Sequence, residues 1–256
     1  MPLKLRAAGL TDVGRKRKAN EDNLYLSPLH GIYSVADGMG GHACGEVASQ
    51  IAVETLGRFF EETARDRERT WPFKMDKSLT YEENRLQVAV KLSNKLIYER
   101  AQRDMRQKGM GTTLVVISVL DDVAYIAHVG DSRVYRLRNG EFTQMTEDHS
   151  LLNDYMKIKP LTPEEIENFP HKNVIVRALG MKHSVEVDLR KEDIEPGDLF
   201  LLCSDGLSGM ITDENLQKIV VNYRSDLDKA CQKLIDVANA NGGTDNITVM
   251  LVEALE

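Results

Sequence analysis

The sequence predicts an α+β fold, with helices packed on the faces of antiparallel sheet. Three observations carry this expectation. β-Branched and aromatic runs bounded by Gly, Asp and Asn follow one another with only short turns between them. Apolar residues at helical spacing fall in separate groups instead of after every strand. No internal repeat or low-complexity tract is visible.

In chain order, Ile32 to Ala36 reads as a strand. Ala48, Ala52, Leu56, Phe59 and Phe60 recur at helical spacing, as do Leu86, Ala89, Val90, Ser93, Leu96 and Ile97. Strands follow at Thr112 to Leu120, Val123 to Val129 and Arg133 to Leu137. Asp121-Asp122 closes a hairpin, a turn around Gly130 to Ser132 continues it into a meander, and Asn139-Gly140 makes a third turn. Leu199 to Cys203 and Ile247 to Val252 are the last strands, separated by a helical stripe of Leu227, Ala230, Cys231, Leu234, Ile235 and Ala238. Two segments read as surface insertions. Arg65 to Tyr81 is mostly polar around Trp71-Pro72-Phe73, and His149 to Asn173, with Pro160, Pro163 and Pro170, reads as a flap beside the site.

With 256 residues, 42% hydrophobic and 29% charged, the chain buries one sizeable core, and a single domain over residues 1–256 is the expectation. No stretch approaches the roughly 20 continuous apolar residues that span a bilayer, and Met1 to Arg6 has no apolar leader core. A soluble, cytoplasmic monomer with no membrane partner is expected. A net charge of -7 argues against a nucleic-acid binder, which needs clustered positive charge to displace counterions. The one dense basic run, Arg15 to Lys18, reads by itself as a solvated loop. Cys44, Cys203 and Cys231 match neither a zinc knuckle nor a disulfide framework and are expected as reduced thiols.

The chemistry is suggested by where the acidic residues fall. Asp22 follows the basic loop, Asp37 ends a strand and runs into Gly38, Asp131 lies in a tight turn, Asp205 ends another strand before Gly206, and Asp245 precedes the final strand. Any one of these is an ordinary turn-former. As a set they can converge on one rim of a sheet, and hard cations such as Mg2+ or Mn2+ are what let clustered carboxylates stay ionised. Gly38 lets backbone approach such an ion closely, while Gly40 and Gly41 serve either the site or the turn into a helix from Gly45.

Five segments together resemble the metal-dependent protein phosphatase family, also called type 2C, in its bacterial form. They are Arg17-Lys18-Ala19-Asn20-Glu21-Asp22, Val35-Ala36-Asp37-Gly38-Met39-Gly40-Gly41-His42, Val129-Gly130-Asp131-Ser132-Arg133, Ser204-Asp205-Gly206-Leu207 and Gly242-Gly243-Thr244-Asp245-Asn246, in the family's order from about Gly9 to Val252. The resemblance implies a four-layer sandwich of two antiparallel β-sheets flanked by pairs of antiparallel α-helices. It implies two Mn2+ or Mg2+ ions, with Asp37 bridging them, the Gly38 carbonyl on one, Asp205 and Asp245 on the other, and Glu21 and Asp22 orienting metal-bound waters. Asp131, with Asp205, resembles the third-metal site of bacterial members, and Arg17 the arginine that holds the substrate phosphate. The activity implied is hydrolysis of phosphoserine and phosphothreonine esters of proteins by metal-activated water, opposing a serine/threonine kinase. Met39 stands where many eukaryotic members have a histidine general acid. His42 is left as either a proton donor or a structural residue.

Three rivals are weaker. Gly38-Met39-Gly40-Gly41-His42-Ala43 fits a dinucleotide-binding G-x-G-x-x-A, but Asp37 would face the pyrophosphate and the expected acidic residue falls in a helix around Gly57. Gly206-Leu207-Ser208-Gly209-Met210 lacks the last glycine of a nucleophile elbow. A phosphoprotein-binding relative without metals would lack a ligand, and every matched position is present.

Overall fold

The structure is a computed structural model and describes residues 3–40, 44–66, 69–171 and 174–255. Among the described residues, eleven strands form two antiparallel sheets. The first sheet runs β1 (Lys4–Asp12), β11 (Ile247–Leu255), β10 (Leu199–Cys203), β7 (Arg133–Arg138), β8 (Glu141–Gln144). The second runs β2 (Asp22–Ser27), β3 (Ile32–Met39), β5 (Leu114–Leu120), β6 (Val123–Val129), β9 (Asp188–Asp193), with the short β4 (Gly111–Thr112) beside the end of β3.

Alternation along the strands decides how the sheets stack. Tyr33, Val35, Val115, Ile117, Ala124 and Ile126 from the second sheet meet Val134, Phe200, Leu202, Met250, Val252 and Ala254 from the first in one buried cluster. Residues of opposite parity face helices. Ile32, Leu114, Val116 and Ala127 pack with Leu56, Phe60, Leu86 and Ile97 of α1 (Gly45–Arg65) and α2 (Tyr81–Arg103). Leu199, Leu201, Val249 and Leu251 pack with Leu216, Val220, Leu234 and Ile235 of α6 (Asp213–Tyr223) and α7 (Leu227–Ala240). These three clusters order the layers as helices, sheet, sheet, helices.

The β5–β6 hairpin turns on Asp121 and Asp122, and the β7–β8 hairpin on Asn139 and Gly140; all four have positive φ, the backbone that tight two-residue hairpins require. The expected meander through Gly130 to Ser132 is corrected. β6 belongs to the second sheet and β7 to the first, so this turn carries the chain across the interior instead of along one sheet. Gly130 has φ 111, and a Cβ there would lie 2.6 Å from the Thr113 side chain, so only glycine makes the crossing. The strand expected over Thr112 to Leu120 breaks at Thr113, whose N–H and hydroxyl both turn toward the backbone of Asp37.

The described parts of both insertions are packed or folded. Trp71 sets its ring edge-on to Phe59, 5.8 Å between centroids, and lies 5.0 Å from Tyr81, so the Arg65–Tyr81 connection packs on the helical core. The flap segment folds into α3 (Leu151–Ile158) and α4 (Pro163–Glu167). Its root is a short ladder: Leu151 N–H donates to Val174, Val176 N–H donates to His149, and Ser150 bridges Ile175. Lys172 and Asn173, where the expected flap ends, lie outside the described residues.

Because Phe200 fills the inter-sheet interior at 1% exposure, Phe200→Ala is expected to cost about 3–5 kcal/mol in urea unfolding, whereas Val221→Ala, on an exposed helix face, changes stability by no more than about 0.5 kcal/mol.

Candidate active site

The inter-sheet interior turns polar at one end, and strand parity dictates which residues appear there. On β2, Leu24 and Leu26 pack on the interior, so Asp22, two residues before Leu24, points the same way. Its register partner is Asp37, which continues the Tyr33, Val35 face of β3. On the other sheet Ser204 extends the Phe200, Leu202 face of β10, and Thr248 extends the Met250, Val252 face of β11. Both hydroxyls donate to Asp22 Oδ2, at 2.8 and 2.7 Å, so one carboxylate oxygen of the second sheet is held by two groups of the first. Thr248 Oγ1 also lies 2.7 Å from Thr11 Oγ1 of β1.

Asp205 opens the short helix α5 (Asp205–Ser208) just past β10, Asp245 precedes β11, and Asp131 sits in the crossing turn. Asp37 feels the charges of Asp22, Asp205, Asp131 and Asp245. It keeps some exposure through the rim, but protein packs its remaining sides, and desolvation followed by these like charges pushes its carboxyl well above the ordinary carboxylate range. Burial lifts Asp22 to about 6 despite its two hydroxyl donors, and lifts Asp131, helped by Asp205, to about 7. Asp205 is raised too, by burial and by Asp245, and shares a hydrogen bond with Asp37.

Such an arrangement is costly unless a cation compensates it. Asp22 Oδ1 and Asp131 Oδ1 are buried and have no hydrogen-bond partner among the described residues. Oxygen-only donors with unused lone pairs, next to a cleft that Asp131 and Asp205 line, fit hard divalent cations.

The loop before β2 is bound to this rim by one side chain. Asn246 accepts from Glu21 N–H at 2.8 Å and donates to the carbonyls of Val13 and Ala19 at 3.0 and 2.9 Å. Arg17 emerges from that loop to meet Asp245, Nη2 to Oδ2 2.7 Å, half exposed. Among the described residues, Arg15, Lys16 and Lys18 make no ion pair, so Arg17 is the member of the basic run that meets the acidic rim. Glu21 is raised by burial and then by Glu46. Gly38 is enclosed by backbone: a Cβ there would lie 2.2 Å from Gly45 O and 2.4 Å from Glu21 O. His42 and Gly41 lie outside the described residues.

The structure thus brings Asp22, Asp37, Asp131, Asp205 and Asp245 together, with Glu21, Gly38 and Arg17 around them. Sequence reasoning assigned no role to Asn246, Ser204, Thr248, Thr113 or Ser132. Ser204 and Asn246 adjoin the acidic motif residues, and Thr248 has interior parity, which is the signal that finds them. Burial drives the Cys203 and Cys231 thiols up to about 12, so neither is a nucleophile near neutral pH. β3 runs antiparallel to both β2 and β5, which removes the parallel βαβ unit that dinucleotide binding needs.

A second set of metal-type donors, His128, His149 and Asp188, lies within 4.8 Å. The hydrogen bonds count against an ion there. Both ring nitrogens of His149 are already engaged, Nδ1 accepting from Gly130 N–H and Nε2 lying 3.2 Å from Arg177 Nη1 and 3.3 Å from Asp188. Arg177 already pairs with Asp188.

Fold and rim together define a metal-dependent protein phosphatase. A model of the protein phosphatase 2C family matches residues 15–252, and the chain belongs to that family. It is similar to protein phosphatase PhpP of Streptococcus pneumoniae, 40% identical over 252 residues with 96% of each chain covered. It is also similar to the serine/threonine phosphatase stp of Listeria monocytogenes, 40% identical over 248 residues covering 95% of this chain and 93% of that one. The serine/threonine phosphatase PstP/Ppp of Mycobacterium tuberculosis superposes with a TM-score of 0.86 at 34% identity, over 98% of this chain and 99% of that one. A PstP catalytic domain solved with two manganese ions gives 0.82 at 34% identity, over 99% and 100%.

The raised carboxyls make stability depend on pH once cations are removed. Between the ordinary aspartate pKa near 4 and the values of about 6 and 7 at Asp22 and Asp131, the folded state holds protons that the unfolded state has lost, so stability falls as pH rises. In excess chelator the melting temperature is therefore expected to be higher at pH 5 than at pH 7.5, and Mn2+ at pH 7.5 is expected to restore it. A chelated protein whose melting temperature rises from pH 5 to pH 7.5 contradicts this electrostatic account.

Proposed function

We propose that the chain hydrolyses phosphoserine and phosphothreonine esters of proteins at this rim. Asp37, the Gly38 carbonyl, Asp205 and Asp245 would hold two divalent cations, Glu21 and Asp22 would order water, and Asp131 with Asp205 would hold a further cation. The observation that carries the reading is the convergence of five aspartates from both sheets, two of them with buried oxygens that no group among the described residues satisfies. Mn2+ or Mg2+ suits the all-oxygen donor set, and the manganese-bound PstP domain supports the choice. Residues 1–256 act as one catalytic domain in this proposal, supported by β1 pairing with β11 across nine positions. A cytoplasmic monomer opposing a serine/threonine kinase completes it, and the relative named serine/threonine phosphatase supports the choice of phosphorylated residue. No helix among the described residues is long and apolar enough to cross a membrane.

Bound divalent cations polarise phosphoryl oxygens and lower the pKa of water toward neutrality. The chain's own residues do the rest. Asp22 keeps Oδ2 fixed by Ser204 and Thr248, which leaves Oδ1 as the free acceptor facing the site. Arg17 presents a planar fork beside Asp245, the right shape for two phosphate oxygens. Met39 has no proton to give, so no side chain at that position protonates the leaving alkoxide.

Two outcomes are expected. Turnover of phosphothreonine peptides depends on Mn2+ or Mg2+, stops in excess EDTA, and falls at least about 100-fold in Asp37→Asn, since an amide supplies no charge to balance two cations. Full activity in EDTA sinks the mechanism. Arg17→Ala lowers kcat/KM by about 10- to 150-fold, while Arg15→Ala, Lys16→Ala and Lys18→Ala each change it by far less. Equal small losses at all four positions in the same assay show a solvated loop and no phosphate clamp.

A further inference from the structure

Beside the rim, on the side away from Asp131, lies a cavity of about 400 Å³ lined by Met39, Val176, Ala178, Met181 and Val185. Met39 follows Asp37 by two residues on β3, so both side chains project from the same face of the strand, about 7 Å apart along it. One wall is therefore continuous with the catalytic rim.

The opposite wall is held from two directions. Leu179 and Thr112 exchange backbone hydrogen bonds, which fastens the 175–186 segment to β4 and so to Gly38 and Met39. From α2, Asn94 donates to the carbonyls of Lys182 and His183 and accepts from Gly180 N–H. The charged member of the lining nearest the flap root, Arg177, is engaged by Asp188 and Glu186. The fixed wall offers apolar surface to solvent at Val176, 41% exposed, and Met181, 52% exposed, with the exposed Lys182, Ser184 and Glu186 at its margin.

The flap root, where Ser150 bridges Ile175, stands between this cavity and the acidic cleft that contains Asp131, Asp148 and Asp205. A polypeptide that places a phosphorylated side chain over Asp37 meets carboxylates on one side and thioethers and aliphatic carbons on the other. From the continuity of Met39 with the rim, we propose that this groove receives the substrate polypeptide itself. It selects an aliphatic side chain two or three residues from the phosphoserine or phosphothreonine, with Met181 and Val176 as specificity-determining residues. At about 3.3 Å per extended residue, two residues match the distance from Asp37 to Met39 and three, about 10 Å, reach past Met39, and unbranched methionines adapt to varied apolar shapes. The inference rests on the phosphatase reading above.

The test uses phosphothreonine peptides that carry either Leu or Asp two and three positions from the phosphoresidue, on either side, with p-nitrophenyl phosphate as a substrate too small to reach the groove. Wild-type kcat/KM is expected to favour a Leu peptide by about tenfold over its Asp partner, the size of effect one apolar pocket contributes. Met181→Glu and Val176→Glu, both at exposed positions that tolerate charge, are each expected to remove that preference and to lower the ratio of peptide to p-nitrophenyl phosphate kcat/KM. Equal wild-type values for Leu and Asp peptides, or a preference that survives both substitutions, overturn the proposal. So does a dimer in sedimentation that Met181→Glu dissociates, because a second copy is then the occupant. If p-nitrophenyl phosphate is not hydrolysed with Mn2+, the phosphatase reading fails instead. The groove is then judged by fluorescence anisotropy of the same peptides, where equal Kd for Leu and Asp forms overturns it.

Discussion

Asp22 reaches across from the second sheet to two hydroxyls of the first, and the carboxylates around it repel one another in a poorly hydrated space. The two facts belong together. Packed sheets bring strand ends close enough for acidic side chains from distant parts of the chain to share one small volume, and that volume then favours protons or cations over open water. The hydrophobic interior supplies the alignment, since the residues that end it are fixed by the same alternation that buries Tyr33, Phe200 and Met250. Glycines at Gly38 and Gly130 remove side chains where backbone must pass close by.

The crossing at Gly130 to Ser132 gives the site its depth. Were β6 and β7 neighbours in one sheet, Asp131 would lie on a surface turn. Because the chain passes between layers there, Asp131 is buried beside Asp205, and the Ser132 hydroxyl meets the Thr113 hydroxyl at 2.7 Å. Thr113 in turn ties to Asp37 through both its N–H and its side chain. Short polar side chains thus carry the geometry from the crossing turn to the strand at the centre of the rim.

Asp37, Asp131 and Asp205 were legible because each sits beside a turn-forming glycine, and Asp245 because it precedes a strongly apolar strand, whereas Asp22 stood out only as part of the motif that follows the basic loop. The apolar strand at Leu199 to Cys203 and the three helical stripes were legible for the ordinary reason of periodic burial. β9 was not: Asp188-Leu189-Arg190-Lys191-Glu192-Asp193 is nearly all charged, as suits an edge strand that must not pair further. β1 and β2 were hidden by mixed polar composition, since much of their stability comes from partners far along the chain. The meander was misread because turn chemistry announces a reversal without saying which sheet the chain enters next. Asn246 illustrates a similar limit: its sequence position marks it as part of a motif, but its three bonds to the 13–21 loop exist only once β11 lies beside β1.

β11 pairs with β1 on one side and β10 on the other, and its register sets Lys4 opposite Leu255. A ribosome releases Lys4 to Asp12 long before it makes the strand that must lie between them and β10. Contacts so distant in sequence form late and slowly. Until β11 inserts, Asp22 lacks the Thr248 hydroxyl and the 13–21 loop lacks Asn246, so a nascent chain has carboxylates without a cage. Pairing of β11 therefore completes the site, and a copy that stops before Ile247 is left without the Thr248 contact to Asp22.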